Sequence, residues 1–355
     1  MPDVSTAGNS NVFELLTASP PSLSCAEAER IARERFDVSG SAEGLSSERD
    51  QNFHLQAADG QEFVLKIANP REDPAVTNFQ TRALIHIASR DPDLRVPRVC
   101  TTIRGATETT VDIGQDQHCT VRLLTYLSGV TLDNVQSTPQ LRRNLGLHLA
   151  RLGRALGDFS HPAADHEILW DMKHAARLSE LVPSIQDAEL RSVAARHVEN
   201  FKERVLPVFP GLRWQAIYND LNPSNVLVDP DAHERIVGII DFGDMVRAPL
   251  IADVAVAAAY QLRHTTDPFE AAAQLIAAYH SVTPLESRET DLLFDLVATR
   301  LTTSVIISTW RASLYPGNRD YILRSVRPNW DALKRLDGMS RADVQGRVKA
   351  ACDGT

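Results

Sequence analysis

Tyr218-Asn219-Asp220-Leu221-Asn222-Pro223-Ser224-Asn225, followed after a hairpin-like connection by Ile239-Ile240-Asp241-Phe242-Gly243, is the stretch on which the reading of this 355-residue chain turns. Around it, Trp214–Tyr218, Asn225–Asp229 and Arg235–Ile240 read as short strands. The interval of five between Asp220 and Asn225 reproduces the D-L-x-x-x-N half of a catalytic loop, and Asp-Phe-Gly at 241–243 is a metal-binding triplet. Phosphoryl transfer from a nucleoside triphosphate needs a carboxylate that orients the attacking hydroxyl and accepts its proton. It also needs oxygen ligands that hold Mg²⁺ against the phosphates. Asp220 suits the first role, and Asn225 with Asp241 the second. The bland alternative is a plain β-hairpin with turn-forming Asn, Pro and Asp; two coupled motifs, each flanked by strands, weigh against it.

Upstream of that centre the pattern is strands with two helices. Glu27–Phe36 reads as a short helix. Asn52–Ala57 and Glu62–Ile67 alternate apolar with polar residues across Asp59-Gly60, a pair favoured in hairpin turns. Asp73-Pro74 is a helix start, after which Val76, Gln80, Leu84 and Ile87 fall on one face. Thr107–Ile113 and Cys119–Leu127 form a further strand pair, and Ser128-Gly129 interrupts the pattern where a crossover to a second lobe belongs. Beyond it Thr138-Pro139 opens a helix carrying Leu145, Leu149, Leu152, Leu156 and Phe159. Met172–Leu206 reads as a polar-rich helical stretch, and everything after residue 249 as helical. The division expected is a poorly ordered lead-in over 1–24, a β-rich nucleotide-binding lobe over 25–127, and a mainly helical lobe over 128–355 carrying catalysis and acceptor binding.

A lysine on an early strand is needed to hold phosphates, and Lys66 in Phe63-Val64-Leu65-Lys66-Ile67 offers one. Its usual partner is a glutamate on the next helix. Here Gln80 occupies the inward stripe, either as a neutral hydrogen-bond partner of Lys66 or as a polar group at the edge of the core. Ser39–Gly44 lacks the G-x-G-x-x-G arrangement. Leu45–Asn52, with Ser46 and Ser47, offers backbone N–H groups and hydroxyls to phosphates as a turn between strands can, or is an ordinary polar loop. Base recognition falls to backbone groups near Leu124–Leu127, with Thr125 and Leu127 the candidates; such groups do not choose between ATP and GTP.

Only eleven residues separate Asp241 from Asp253, and Ile251 onward already reads as a helix. This leaves no room for a long activation segment ending in A-P-E, so the expected acceptor is a small molecule rather than a peptide. Asp244 either pairs with an ammonium group on that acceptor or is a solvated carboxylate. Asp253 reads as a structural cap that steadies the catalytic loop.

Lys and Arg total 37 against 46 Asp and Glu, a net charge of -9, which argues against binding nucleic acid through phosphate neutralisation. Cys25, Cys100, Cys119 and Cys352 are scattered with no C-x-x-C pair, so neither a zinc site nor a disulfide framework is indicated and a cytoplasmic setting is expected. Residues 1–30 lack a basic segment followed by an apolar one, and Val254–Tyr260 is too short to span a bilayer, so no membrane association is expected.

The order and spacing of these motifs resemble the aminoglycoside phosphotransferase superfamily over residues 25 to about 335. The resemblance implies an α+β, two-lobed protein-kinase-like fold, with an N-terminal antiparallel-sheet lobe and a larger, mainly helical C-terminal lobe. It also implies Mg²⁺ as cofactor, ATP or GTP as donor, and a small hydroxyl-bearing, cationic acceptor. Tyr218-Asn219-Asp220, Ser47–Asn52, Gln80, Asp241–Met245 and the late Arg300…Trp310 pattern look most similar to hydroxylysine kinase and its bacterial relatives. Tyr218-Asn219 stands where the superfamily often has His-Gly, which leaves the local hydrogen bonding open. Were the acceptor 5-hydroxylysine or a similar amino acid, its carboxylate would need a cation. Arg300 is the candidate, against a structural ion pair as the alternative. Trp170 and Trp310 either wall the pocket or anchor the core. An aminoglycoside or homoserine kinase of the same fold, and a nucleotide-binding module without catalysis, remain the competing functions.

Overall fold

The structure, a computed structural model, describes residues 18–47, 49–114, 117–263, 267–315, 319–323 and 326–354. The chain forms two compact units. The first runs to Ser128 and takes in His161–His166 and Gly238–Ile240; the second comprises Gly129–Ser160, Glu167–Val237 and the chain from Asp241 on. Those two short insertions into the first unit interrupt a stretch that the sequence reading assigned wholly to the second.

In the first unit, Ser24 caps helix α1 (Cys25–Phe36) through a capping box with Glu27. Strands β1 (Gly40–Leu45), β2 (Gln51–Ala57) and β3 (Glu62–Ile67) follow. Helix α2 (Pro74–Arg90) starts on the Asp73 side chain, which accepts from Ala75 N. Strands β4 (Val99–Cys100), β5 (Thr109–Asp112) and β6 (His118–Thr125) complete an antiparallel sheet in the order β1-β2-β3-β6-β4, with β5 also on β6. Ala28, Ile31, Ala32 and Phe36 of α1 pack on Phe53, Leu55, Leu65, Ile67, Val121 and Leu123 of the sheet, all buried, as the spacings of three and four in the helix and two in the strands require.

The sequence reading missed β1. Its residues, Gly-Ser-Ala-Glu-Gly-Leu, carry no apolar alternation and are exposed apart from the half-buried Ala42. Gly40 is obligatory there, because a Cβ would lie 2.0 Å from the Gln56 carbonyl oxygen of β2. The expected lead-in lies outside the described residues up to residue 17. Residues 18–24 are held, with Asn69 Nδ2 donating to Ser19 O at 3.0 Å and Leu23 exchanging two 2.8 Å hydrogen bonds with the Gln51 side chain.

In the second unit, β7 (Val130–Thr131) pairs with β9 (Val226–Val228), and β10 (Ile236–Ile239) starts in this unit and ends in the Gly238–Ile240 segment of the first. Strand β8 (Trp214–Ile217) pairs with β11 (Val246–Pro249). The helices are α3 (Pro139–Ala155), α4 (Ala188–Asn200), α5 (Leu250–Gln261), α6 (Pro268–Val282), α7 (Ser287–Thr290), α8 (Leu293–Leu314), α9 (Arg319–Ile322), α10 (Val326–Asp337) and α11 (Arg341–Asp353). The helical stretch expected over Met172–Leu206 is divided: a tighter, three-residue-per-turn segment over Met172–Glu180, a second such turn at Val182–Ser184, then α4 followed by a wider-turn segment over Phe201–Val205. Pro183 removes a donor in the middle of that run, and Asp187 restarts the helix by accepting from Leu190 N. Helices α5 and α8 are buried nearly all round and form the centre of this unit, α5 almost wholly apolar and α8 carrying buried polar residues such as Asp295, Thr299 and Arg300. Among the described residues no helix is long and apolar enough to cross a membrane.

Candidate active site

Strand β8 ends at Ile217, and the chain then makes a turn that is fastened from behind. Asp253, 3% exposed on the first turn of α5, accepts hydrogen bonds from Tyr218 N at 3.2 Å and Asn219 N at 2.8 Å. Asn219 has φ +66°, a left-handed conformation uncommon outside glycine that asparagine tolerates better than most residues. Its Nδ2 donates to Asp244 O at 3.1 Å, so the turn is also tied to the segment after Asp241-Phe242-Gly243. The fully buried Tyr218 ring meets Phe242 edge-on, with centroids 5.0 Å apart. Asp241 itself is exposed, has φ +57°, and accepts from Gly243 N at 3.3 Å.

These contacts aim Asp220, whose side chain keeps 18% of its surface exposed. Its Oδ2 accepts from Asn225 Nδ2 at 2.7 Å and Asn222 Nδ2 at 2.9 Å, and its Oδ1 accepts from Arg300 Nη2 at 3.0 Å. Burial and the neighbouring Asp244 carboxylate push Asp220 up, to about 8, against the pull of Arg300 and the Asn222 amide, with Asp241 adding to the rise. The side-chain hydrogen bonds of Asn225 use only its amide nitrogen, toward Asp220 O and Oδ2, which leaves its side-chain carbonyl oxygen available as a ligand. Among the described residues no three His, Cys, Asp or Glu lie close enough to hold a metal by themselves. An all-oxygen pair, Asn225 and Asp241, supplemented by nucleotide phosphates, suits Mg²⁺, which commonly takes one or two protein ligands.

Arg300, in the middle of α8, is 2% exposed. Besides Asp220 it donates through Nη2 to the Tyr260 hydroxyl at 3.1 Å and through Nη1 to Trp170 O at 3.2 Å, and its guanidinium faces the Trp170 ring at 5.4 Å and the Tyr260 ring at 5.8 Å. Its Nε is buried and has no hydrogen-bond partner. Arg300, Trp170, Asp220 and Asp244 are thus gathered in one place, whereas Trp310, near the end of α8, is partly exposed.

Within the first unit, Lys66 is partly buried on β3, flanked across the strands by Asn52 of β2 and Arg122 of β6. Gln80, 6% exposed, takes Arg122 as a partner: Arg122 Nη2 donates to Gln80 Oε1 at 2.9 Å, and Nη1 donates to Thr77 O at 3.4 Å. The sequence had offered Gln80 either Lys66 or the core edge; Arg122 is a partner that neither alternative named. Arg122 sits one strand over from Lys66, inside the stretch Cys119–Leu127 that reads simply as a strand, and nothing in the spacing marks it as a cationic partner for Gln80 on α2. Ser46 and Ser47 are exposed in the connection between β1 and β2, where Glu48 lies outside the described residues. Thr125 ends β6 with both its N–H and its hydroxyl bonded to the Arg98 backbone at 2.9 Å, and Leu127 follows half-buried.

Asn222 and Tyr260 went unrecognised in the sequence. Tyr260 lies seven residues after Asp253 on α5, a spacing of two helical turns that puts both on one face. That spacing was the available signal. Asn222, two residues after Asp220, had none beyond its turn propensity.

The model of the family described as "Phosphotransferase enzyme family" matches residues 41–290. Curated relatives include hydroxylysine kinase of Mus musculus, 28% identical over 323 residues and covering 85% of each chain, and that of Bos taurus, 28% identical over 364 residues and covering 96% of each. Among solved structures, a microcompartment-associated aminopropanol kinase superposes with a TM-score of 0.68 at 18% identity, over 93% of this chain and 99% of that one. An amicoumacin kinase in complex with AMP-PNP and Ca²⁺ gives 0.66 at 12% identity, over 91% and 93%. The GDP complex of aminoglycoside 2'-phosphotransferase-IIIa gives 0.56 at 15% identity, over 90% and 99%. The α+β kinase-like fold, antiparallel sheet first and helices after, is common to all of them. With the family's model covering well over half of its length, the chain belongs to the phosphotransferase enzyme family and is a small-molecule kinase acting on hydroxyl groups.

Proposed function

We propose that the chain transfers the γ-phosphoryl group of ATP or GTP, with Mg²⁺, to the hydroxyl of a small acceptor that bears both an ammonium and a carboxylate group, 5-hydroxylysine being the best fit. The observation that carries this is a buried cation beside the base: Arg300, 2% exposed, on Asp220 at 3.0 Å with its Nε unused. Asp220 orients the acceptor hydroxyl and takes its proton, a step that typically contributes about 10²–10⁴-fold. Asn222, Asn225 and Arg300 hold its carboxylate in one rotamer for an in-line attack. Mg²⁺ would be held by Asn225 and Asp241 and would neutralise charge on the phosphates. Lys66 binds phosphate oxygens, and Ser46 and Ser47 offer N–H and hydroxyl donors to them. Leu127, and Thr125 through its carbonyl, recognise the base. Asp244 takes the acceptor's ammonium group, Arg300 its carboxylate, and Trp170 walls the pocket.

Relatives named hydroxylysine kinase support an amino-acid acceptor. Homoserine, which carries the same two charged groups, is the second reading that Arg300 favours; an aminoglycoside has no carboxylate to offer it. The test is Mg²⁺-dependent ADP and GDP release against 5-hydroxylysine, homoserine, choline, ethanolamine and an aminoglycoside, with Asp220→Asn as the blank. Turnover of a hydroxy amino acid that vanishes in the variant is expected. Turnover confined to choline or the aminoglycoside overturns the reading.

A further inference from the structure

Arg300 uses its guanidinium in an uneven way. Nε and Nη2 share the edge with which arginine grips a carboxylate bidentately. Here Nη2 donates twice, to Asp220 Oδ1 and to the Tyr260 hydroxyl, while Nε is buried with no partner. A buried charged donor left unsatisfied is costly, and such an orphan in an otherwise well-bonded site calls for an explanation. Asp220 cannot supply it by rotating onto both nitrogens, because its other oxygen is fastened by the amides of Asn222 and Asn225.

Tyr260 has a matching surplus. Arginine can only donate, so in the 3.1 Å contact with Nη2 the phenol oxygen is the acceptor and its own proton is directed elsewhere. The ring is kept in place by the Arg263 guanidinium, which lies 4.5 Å from its centroid and is itself anchored on Asn329 Oδ1 at 2.6 and 2.9 Å. Tyr260 and Trp170, whose rings both lie near the buried guanidinium, are each partly exposed, and Asp220 keeps part of its surface open. Two donors, one cationic and one phenolic, therefore stand beside the Asp220 carboxylate.

We infer that Tyr260 is a specificity-determining residue: its hydroxyl and the free Nε of Arg300 form a two-pronged clamp for the acceptor's carboxylate, and Arg300 thereby bridges acceptor and base. This rests on the proposed acceptor class and adds to it. Because one rigid group then holds both the carboxylate of the acceptor and the carboxylate that orients its hydroxyl, acceptor binding and base alignment are coupled. An acceptor without a carboxylate leaves the clamp empty and its own hydroxyl less well placed.

The experiment is a comparison of kcat and KM for matched acceptors, 5-hydroxylysine and homoserine against their decarboxylated amino alcohols, in the wild type, Tyr260→Phe, Arg300→Lys and Asp220→Asn, with folding checked by thermal unfolding. The wild type is expected to prefer the carboxylate-bearing member of a pair. Tyr260→Phe should shrink that preference by about 10-fold or more, chiefly through KM, as the loss of one hydrogen bond to a charged group implies. Arg300→Lys should largely erase it, since an ammonium cannot bridge in the plane. A preference unchanged in Tyr260→Phe, or an equal loss on both members of a pair, overturns the clamp, the second being the mark of a merely structural tyrosine. Turnover of neither member by the wild type, or turnover that survives Asp220→Asn, overturns the proposed acceptor reading and the clamp with it.

Discussion

Asp253→Ala probes whether one buried carboxylate holds the catalytic turn. Two opposing effects set its size. The substitution strips the acceptors from Tyr218 N and Asn219 N, both buried, at about 1–3 kcal/mol each. It also relieves the burial of a charge: desolvation raises Asp253 from the ordinary 3.8 to about 6, against the backbone hydrogen bonds from Asn219 and Tyr218 and the Arg300 charge. A folded-state value above the unfolded one means that the group's contribution is present in full below about pH 4 and is lost as pH rises through about 6. Near pH 7.5 the ionised carboxylate therefore costs the wild type about 3 kcal/mol, and near pH 5 roughly half as much. The variant escapes this cost, so its deficit relative to the wild type should be larger near pH 5 than near pH 7.5, by about 1–2 kcal/mol. Urea unfolding of both proteins at the two pH values measures it. A deficit that is flat or grows with pH refutes the argument. In the same variant the Asn219 turn loses its anchor, and a misplacement of Asp220 by about 1 Å should lower kcat roughly 10²-fold; full activity would show that the turn holds without Asp253.

Gly146 lies where α3 crosses α6, and a Cβ there would sit 2.2 Å from Leu275 O and 2.9 Å from Ala278 Cβ. Gly146→Ala should cost about 1–3 kcal/mol through forced separation of the helices, partly offset by better helix propensity, and an unshifted urea midpoint would count against that packing. Gln80→Ala removes an acceptor from the buried Arg122 guanidinium and should destabilise by about 1.5–3 kcal/mol, to be read by thermal unfolding; neutrality would mean that the contact carries no stability. Asn225→Ala should raise the Mg²⁺ concentration needed for half-maximal turnover by at least the ~10–100-fold that outer-shell ligand losses produce, and an unchanged Mg²⁺ dependence would remove Asn225 from the metal site.

The motifs and the order of elements were legible because they are local. D-L-x-x-x-N and Asp-Phe-Gly are contiguous, the caps Asp73 and Thr138 precede proline, and the strand alternation around Asp59-Gly60 needs no partner to be recognised. What escaped is what a neighbouring element supplies. Strand β1 has no apolar pattern of its own and exists as a strand because β2 offers it a full ladder of backbone partners from Gly40↔Ala57 to Leu45↔Asn52. Gln80 could be placed on the inward stripe of α2, yet the tertiary structure gives it Arg122 as a partner, forty-two residues away on β6.

Arg300 shows the same limit at the centre of the chemistry. The sequence by itself determined that a cation stood on a late helix, together with the residue types and spacing of a phosphoryl-transfer centre. Only the tertiary structure decided that this cation touches Asp220, eighty residues away, leans on Tyr260 and keeps one donor vacant. Hydrogen bonding along a helix or a turn is set by near neighbours and leaves a trace in their spacing. The direction of a buried guanidinium is set by which side chains from other elements surround it, and no interval along the chain records that.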